Sequence, residues 1–425
     1  MRPGYKRTEV GIIPEEWEVA PVATLLGAPI QNGVFNDPSR KGWGCKLINV
    51  IDLYGRFPLE TGGLERFAAD KDELSRFAVG NGDVFFTRSS LTADGIAMCN
   101  VYDGAGEGPI VFDCHIIRVR PDTAKVEPLF LARSSGSSAA RRYLVMNAKT
   151  TTMTTIDQSV IARLPVALPP LAEQRSITGA LSDIDALLAG LDRLIAKKCD
   201  LKQAAMQQLL TGQTRLPGFH GEWEDVTLFQ LAEGRKELFD DGDWIESEHI
   251  TNYGIRLIQT GNIGVGRFVE KDDRKFIYED SFTSLRCKPL KIGDLLICRL
   301  ADPAGRACVL PDIGDARVVT SVDVTIFRPS VGKVDRVFLA NVFSTPEWFR
   351  AVSDRSGGTT HKRISRGALG RISLQIPPIP EQTAIATVLS DMDAELTALE
   401  ARRDKTRALK QAMMQELLTG RTRLV

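Results

Sequence analysis

The chain has 425 residues, with 54 basic against 54 acidic side chains and 43% hydrophobic residues, enough for two or three domains with real cores. Its net charge of zero is not that of a lone basic nucleic-acid-binding domain, so such a role has to come from local patches or partner chains. Seven cysteines, at 45, 99, 114, 199, 287, 298 and 308, are odd in number and never spaced Cys-x-x-Cys, which supports neither a disulfide framework nor a zinc knuckle. They are expected as buried thiols of a cytoplasmic protein. Neither an apolar leader after Met1-Arg2-Pro3 nor a membrane-spanning run is read in the sequence.

From the start to Leu168, short apolar runs alternate with Gly, Asp, Asn and Pro. Leu47 to Val50, Asp83 to Phe86, Pro109 to Phe112 and His115 to Val119 read as strands, with helical patches near Leu129 to Ala132 and Ala139 to Tyr143. At Pro169-Pro170 the pattern changes. Ile177, Leu181, Ile184, Leu188, Leu191 and Ile195 step by four and three residues, the seam of a coiled coil, and the run stops at Gly212, a good left-handed C-cap. The predicted helix of roughly 55 Å is a rod that needs a partner.

Residues 213–376 repeat the first layout. Arg256 to Gln259, Leu295 to Cys298 and Val322 to Phe327 read as strands and Val337 to Phe349 as a helix. Pro377 opens a second rod, carrying Ile385, Leu389, Met392, Leu396 and Leu399 on its seam and ending at Gly420. Residues 169–216 and 377–424 align without a gap, and 26 of the 48 positions are identical, among them Glu173/Glu381, Gln174/Gln382, Asp185/Asp393 and Lys202/Lys410. In both rods the seam weakens in the middle, and Leu201/Leu409 and Leu209/Leu417 are expected to restore it. Fainter identities tie the globular parts together: Gly82-Asp83 with Arg88 against Gly293-Asp294 with Arg299, Arg120-Pro121 against Arg328-Pro329, and Trp17 against Trp223.

The fold class expected is therefore α+β: two similar mixed domains, at 1–168 and 213–376, separated by two long helices, at 169–212 and 377–425. The helices pair as an antiparallel coiled coil, and the tandem duplication carries pseudo-twofold symmetry. The Val10 to Trp17 segment resembles the continuation that the second rod lacks, so the chain's start is expected beside its end. The rods stay alike while Ser89 to Gly108 and Ala301 to Ala316 diverge. Rods that hold a common geometry or a common partner, and domains that each recognise something different, account for that contrast.

The order of domain, Pro-Pro-x-x-Glu-Gln helix ending Leu-Leu-Thr-Gly, second domain and same helix again resembles the specificity subunit of Type I restriction-modification systems over essentially the whole chain. Leu257 to Ile263, Gly293 to Leu296 and Gly358 to Ser365 add to the likeness, although Ala148 to Met153 keeps less of the last motif. The resemblance implies a non-catalytic subunit with two target recognition domains, each reading half of a split sequence in double-stranded DNA, and a helical spacer. It also implies two methyltransferase subunits as partners, with S-adenosylmethionine bound there and not by this chain, and restriction/translocase subunits in the full complex. The competing reading is a duplicated ligand-binding protein with a coiled-coil dimerisation module.

Candidate DNA contacts follow from charge. Arg355 to Arg371 holds five basic side chains and no acid, and its Thr359, Lys362, Arg363 and Arg366 suit phosphate oxygens. The first copy offers Arg141, Arg142, Lys149 and Thr150 to Thr155, Thr151 among them. Arg88 and Arg299, at the end of an apolar strand in both copies, either meet backbone or pair with an internal acid. Base reading belongs to the divergent loops, because features that two readers share cannot tell two sequences apart. No phosphate loop, no adenine-methyltransferase motif and no His-Glu-x-x-His is found, so neither catalytic nor metal-binding residues are assigned. His115, His220, His249 and His361 are scattered, and Asp240-Asp241-Gly242-Asp243 lacks the rest of a calcium loop.

Overall fold

The computed structural model describes residues 3–104, 108–300, 303–330, 332–358 and 362–424. It divides into two compact units, Met1–Asp192 with Ala401–Val425, and Arg193–Glu400. Each unit therefore holds one mixed domain, part of one long helix and part of the other.

In the first unit a four-stranded antiparallel sheet runs in the order Leu26–Asn32, Ile116–Pro121, Val84–Thr87, Cys99–Val101. A three-stranded sheet has Lys41–Ile48 at its centre, parallel to Ile110–Phe112 and antiparallel to Glu65–Phe67. Val84 to Thr87 are all buried, as an unbroken apolar run requires of a strand covered on both faces. Val84 and Phe86 join the cluster that contains Ile177 and Leu181 of the long helix. Phe85 turns the other way, onto Phe112 and Tyr102.

The second unit repeats this plan. Its antiparallel sheet is Phe239–Asp241, Val324–Phe327, Leu295–Cys298, Ala307–Val309, and its other sheet is Ile250–Thr251, Lys275–Ile277, Ile255–Ile258, Val318–Thr320. Leu295 and Ile297 face the cluster of Ile385 and Leu389, while Leu296 and Cys298 face the second sheet. The expected helix from Val337 to Phe349 is two helices, Arg336–Val342 and Pro346–Ser353. Pro346 has no amide to continue the first, and the Thr345 hydroxyl caps the second by accepting from the Trp348 amide.

The long helices run Leu171–Leu209 and Ile379–Leu417, 39 residues each. The repeated Glu-Gln explains itself here. Gln174 accepts from the Glu127 amide at 2.8 Å and donates to the Pro169 carbonyl at 2.9 Å, and Gln382 does the same with Asp335 at 2.9 Å and Pro377 at 2.7 Å. Each glutamine thus ties a domain helix to the start of a rod. Glu173 and Glu381 are buried carboxylates, and each takes one arginine: Arg423 at 2.6 Å and Arg215 at 2.5 Å. That arginine also lies over a tryptophan, Trp17 or Trp223.

In both units the two helices run antiparallel. Lys410 meets Asp185 at 2.6 Å and Arg403 lies 3.9 Å from Asp192 in the first, while Lys202 meets Asp393 at 2.5 Å and Lys198 meets Glu395 at 2.7 Å in the second. Ile177, Leu181, Leu191, Ile195, Ile385 and Leu389 are buried; Ile184, Leu188, Met392, Leu396 and Leu399 are half-buried. Leu201 and Leu409 depart from expectation, being 48% and 54% exposed. The seven-residue step from Leu181 through Leu188 and Ile195 leads to Lys202 and Leu209, and that from Leu389 through Leu396 and Arg403 to Lys410 and Leu417, so Leu201 and Leu409 lie one residue off the seam. Leu209 and Leu417 are buried as expected.

Gly212 and Gly420 end the helices with φ of 71° and 67°. A side chain at Gly420 would run into Pro14 and Trp17, and the Tyr5 hydroxyl donates to the Gly420 carbonyl at 3.0 Å, so the chain's start does pack on its end. Four cysteines are buried, Cys99 and Cys114 are half-buried, and Cys199 is exposed on the first long helix, where a buried thiol was expected.

Candidate nucleic-acid interface

Four segments meet at one edge of the first unit. Strand Val84–Thr87 delivers Arg88, whose amide donates to the His115 carbonyl at 2.7 Å and whose carbonyl accepts from the Ile156 amide at 3.0 Å. Beyond it, Ser89–Ser90 pairs with Thr154–Thr155, which pairs with Lys149–Thr150. The turn 113–115 closes against both: the Ser89 hydroxyl lies 3.0 Å from His115 Nδ1. Asn36, on the turn after the first strand of the sheet, donates to Asp113 at 2.5 Å and to Asn49 at 3.1 Å.

Arg88, Lys149 and Thr151, chosen from sequence alone, are therefore brought together, and all three are exposed. Asn36, Asn49, Ser89 and His115 join them and were missed, because no repeat identity marks them. Asp113, Cys114 and His115 place a carboxylate, a thiol and an imidazole within 4.8 Å of one another. Both Asp113 oxygens already accept hydrogen bonds, from Asn36 and from the His115 amide, so the trio serves as the polar hub of this edge. Arg141 is turned inward onto the carbonyls of Asp94, Ile96 and Ala97, where burial lowers its pKa.

The second unit uses the same backbone scheme with different side chains. The Arg299 amide donates to the Asp323 carbonyl at 2.8 Å, and its carbonyl accepts from the Ile364 amide at 3.0 Å. Its guanidinium is not on the surface. Arg299 is 4% exposed, lies 3.1 Å from Asp241 and donates to the carbonyls of Val322 and Ile364. Burial lowers its pKa, and Asp241 opposes that shift. Of the two roles open to this pair of arginines, the structure gives Arg299 the internal acid and leaves Arg88 at the surface.

Around it, two of the five basic side chains of the run are countered in space. Arg363 pairs with Asp323 at 2.9 Å, and Arg366 pairs with Asp240. Lys288 reaches Asp240 at 3.1 Å and Asp243 at 3.6 Å. The acidic stretch 240–243 is thus a set of counter-ions for 288, 299 and 366. Lys362 is exposed, and Thr359 lies outside the described residues, as do Thr360 and His361. Among the described residues, no helix is long and apolar enough to cross a membrane.

Duplicated mixed domains, each clamped to a long helix through a Glu-Gln pair and each offering a polar loop surface at one sheet edge, define a two-headed binding scaffold. Residues 221–406 match the family model for the Type I restriction modification DNA specificity domain. A specificity subunit ascribed to the MjaX Type I restriction enzyme of Methanocaldococcus jannaschii is 24% identical, over 99% of this chain and 97% of its own. A chain from a structure concerned with assembly and conformational transition of the Type I R-M system has the same fold, with a TM-score of 0.59 at 18% identity, covering 96% of this chain and 99% of that one. The S subunit from M. genitalium gives 0.56 at 12% identity, covering 94% and 96%. Over nearly its whole length the chain is thus similar to specificity subunits of Type I restriction-modification systems, and its second half matches their DNA specificity domain.

Proposed function

We propose that this chain reads a bipartite sequence in double-stranded DNA for a Type I restriction-modification complex, one half-site per domain. The observation that carries this is the contrast between the two units. They repeat the Gln174/Gln382 and Glu173/Glu381 bonds, and the pairing of Asp83 with Arg120 and of Asp294 with Arg328, almost atom for atom, yet around Arg88 and Arg299 the first unit has Ser89 and His115 where the second has Leu300 and Asp323. A shared frame with unlike surfaces suits two readers of unlike sequences.

Direct readout needs donors and acceptors at the base edges, and the loops with Asn36, Asn49, Ser89 and His115 supply them in the first domain. Arg88, Lys149, Thr151 and Lys362 serve phosphate oxygens, which fix register without carrying sequence information. The long helices set the unread gap, since half-sites on one face of B-DNA recur about every 34 Å. Two methyltransferase subunits, binding S-adenosylmethionine, carry out methyl transfer, and restriction/translocase subunits carry out cleavage, all in the cytoplasm; this chain performs neither reaction.

The test is a map of methylated bases in cells carrying the chain with its methyltransferase, against cells lacking only the chain. One split motif with a fixed gap is expected. Absence of any motif, with a methyltransferase active alongside another specificity subunit, would overturn the proposal. A one-turn insertion in both helices, about 5.4 Å each, is expected to lengthen the gap and leave both halves unchanged.

A further inference from the structure

We infer that each domain meets DNA through two protruding aromatic rings, Phe35 and Trp43 in the first and Trp244 and Tyr253 in the second. The inference rests on the DNA-reading role proposed above and names side chains for it. These rings are 76%, 66%, 66% and 64% exposed, whereas Phe85, Phe86, Phe112, Phe327 and Phe338 are fully buried. Large rings left in water mark contact surfaces when their placement is built and not accidental.

The placement is built, and it is built twice. Phe35 and Trp244 each sit two residues beyond a glycine, Gly33 or Gly242, that is pressed against a backbone carbonyl. An added Cβ would stand 1.7 Å from the Phe112 oxygen in the first case and 2.3 Å from the Ser321 oxygen in the second. The residue between makes a parallel bridge in both: Val34 with Asp113, and Asp243 with Ser321.

Trp43 and Tyr253 are each the middle of a three-residue loop. Lys41 and Cys45 both pair with Phe67, with Gly42-Trp43-Gly44 between them, and Ile250 and Ile255 both pair with Ile277, with four residues between them, of which Thr251 still pairs with Phe276 and Asn252-Tyr253-Gly254 are pushed out. The third residue is a left-handed glycine in both, with φ of 92° at Gly44 and 107° at Gly254. A Cβ there would lie 2.4 Å from the Phe67 or Ile277 oxygen. Only glycine fits, so the loop shape and the outward aim of the ring are fixed.

What is kept is the position; what changes is the ring. Phenylalanine stands where the other domain has tryptophan, and tryptophan where it has tyrosine. A protein partner present in two like copies would meet the same residues twice, whereas two different half-sites call for different rings at one place. In the first domain the surroundings fit a polyanion: Arg66 is exposed beside the loop, donates to the Gly44 carbonyl at 3.1 Å and has no carboxylate partner among the described residues. Trp244 donates to Glu246 at 2.9 Å and Tyr253 meets Tyr278 edge-on at 5.9 Å, contacts that hold each ring in orientation while leaving it open. Such rings give duplex DNA apolar contact with thymine methyls or a wedge at a base step.

The test uses the full chain in complex with its methyltransferase and duplexes bearing the split motif. The paired variants Phe35→Ala/Trp43→Ala and Trp244→Ala/Tyr253→Ala are each expected to fold normally and to lose about tenfold or more in affinity, a loss of about 1.4 kcal/mol. Each pair should also lose discrimination at one half-site only. Iodide quenching of tryptophan fluorescence should fall on DNA binding, because Trp17 and Trp348 are buried already and Trp43 and Trp244 are the exposed indoles. Trp43→Tyr and Tyr253→Trp, which keep a ring in place, should retain affinity and alter only the sequence preference at that half-site, which covers the case of an alanine variant that fails to fold. Unchanged affinity, or loss of methyltransferase assembly in place of DNA binding, would overturn the inference. Absence of any split motif with the unaltered chain would defeat the DNA-reading role itself, a separate outcome.

Discussion

Arg88 and Arg299 occupy the same place in two copies of one fold and do opposite things. Each ends the central strand and makes the same two backbone hydrogen bonds, yet one side chain is exposed while the other is 4% exposed against Asp241. Asp241 belongs to an acidic stretch that has no counterpart at Gln31 to Val34 of the first copy. A shared residue in a duplicated frame therefore reports the frame, and its role is set by what the neighbouring loop supplies.

The largest effects should come from what the copies share. Arg423→Ala and Arg215→Ala each strand a buried glutamate, Glu173 or Glu381, at 2% and 1% exposure. Each is expected to cost about 3 kcal/mol or more in urea unfolding, by similar amounts. A small loss in one copy alone would break the equivalence of the two anchors.

The arginine pair comes next. Arg299→Ala removes the partner of Asp241 and should cost about 2 kcal/mol in stability. Arg88→Ala should stay within about 0.5 kcal/mol and act on DNA affinity instead. Equal destabilisation by the two would contradict the division drawn between them. Smallest is the exposed pair of Lys202 and Asp393, 21% and 53% exposed at the side chains. A double-mutant cycle there should return about 1 kcal/mol or less, since solvent screens the attraction.

The frame was legible in the sequence because repetition makes it visible. Pro-Pro, Glu-Gln, the apolar seam and the closing glycine appear twice at a constant offset, and each has a bonding reason for being kept. The expectation that the start of the chain adjoins its end also followed from a broken repeat, and Tyr5 reaches Gly420 as that requires. The site was legible only in part. A run of five basic residues looks uncompensated along the chain, but Asp240 and Asp323 arrive from elsewhere in the fold to counter two of them, Arg366 and Arg363, as Asp241 counters Arg299. Strand pairing, invisible in local composition, also decides that Trp43 and Tyr253 correspond. The shared aromatic-glycine pairs, Trp43-Gly44 and Tyr253-Gly254, were the one signal for it.

The most direct test of a common frame carrying two independent readers is the methylation map of two variants, Phe35→Ala/Trp43→Ala and Trp244→Ala/Tyr253→Ala, beside that of the unaltered chain. Each variant is expected to weaken methylation through one half of the split motif while the other half and the gap stay as they were. Simultaneous loss of both halves in either variant, with the chain folded and its methyltransferase bound, would contradict the account.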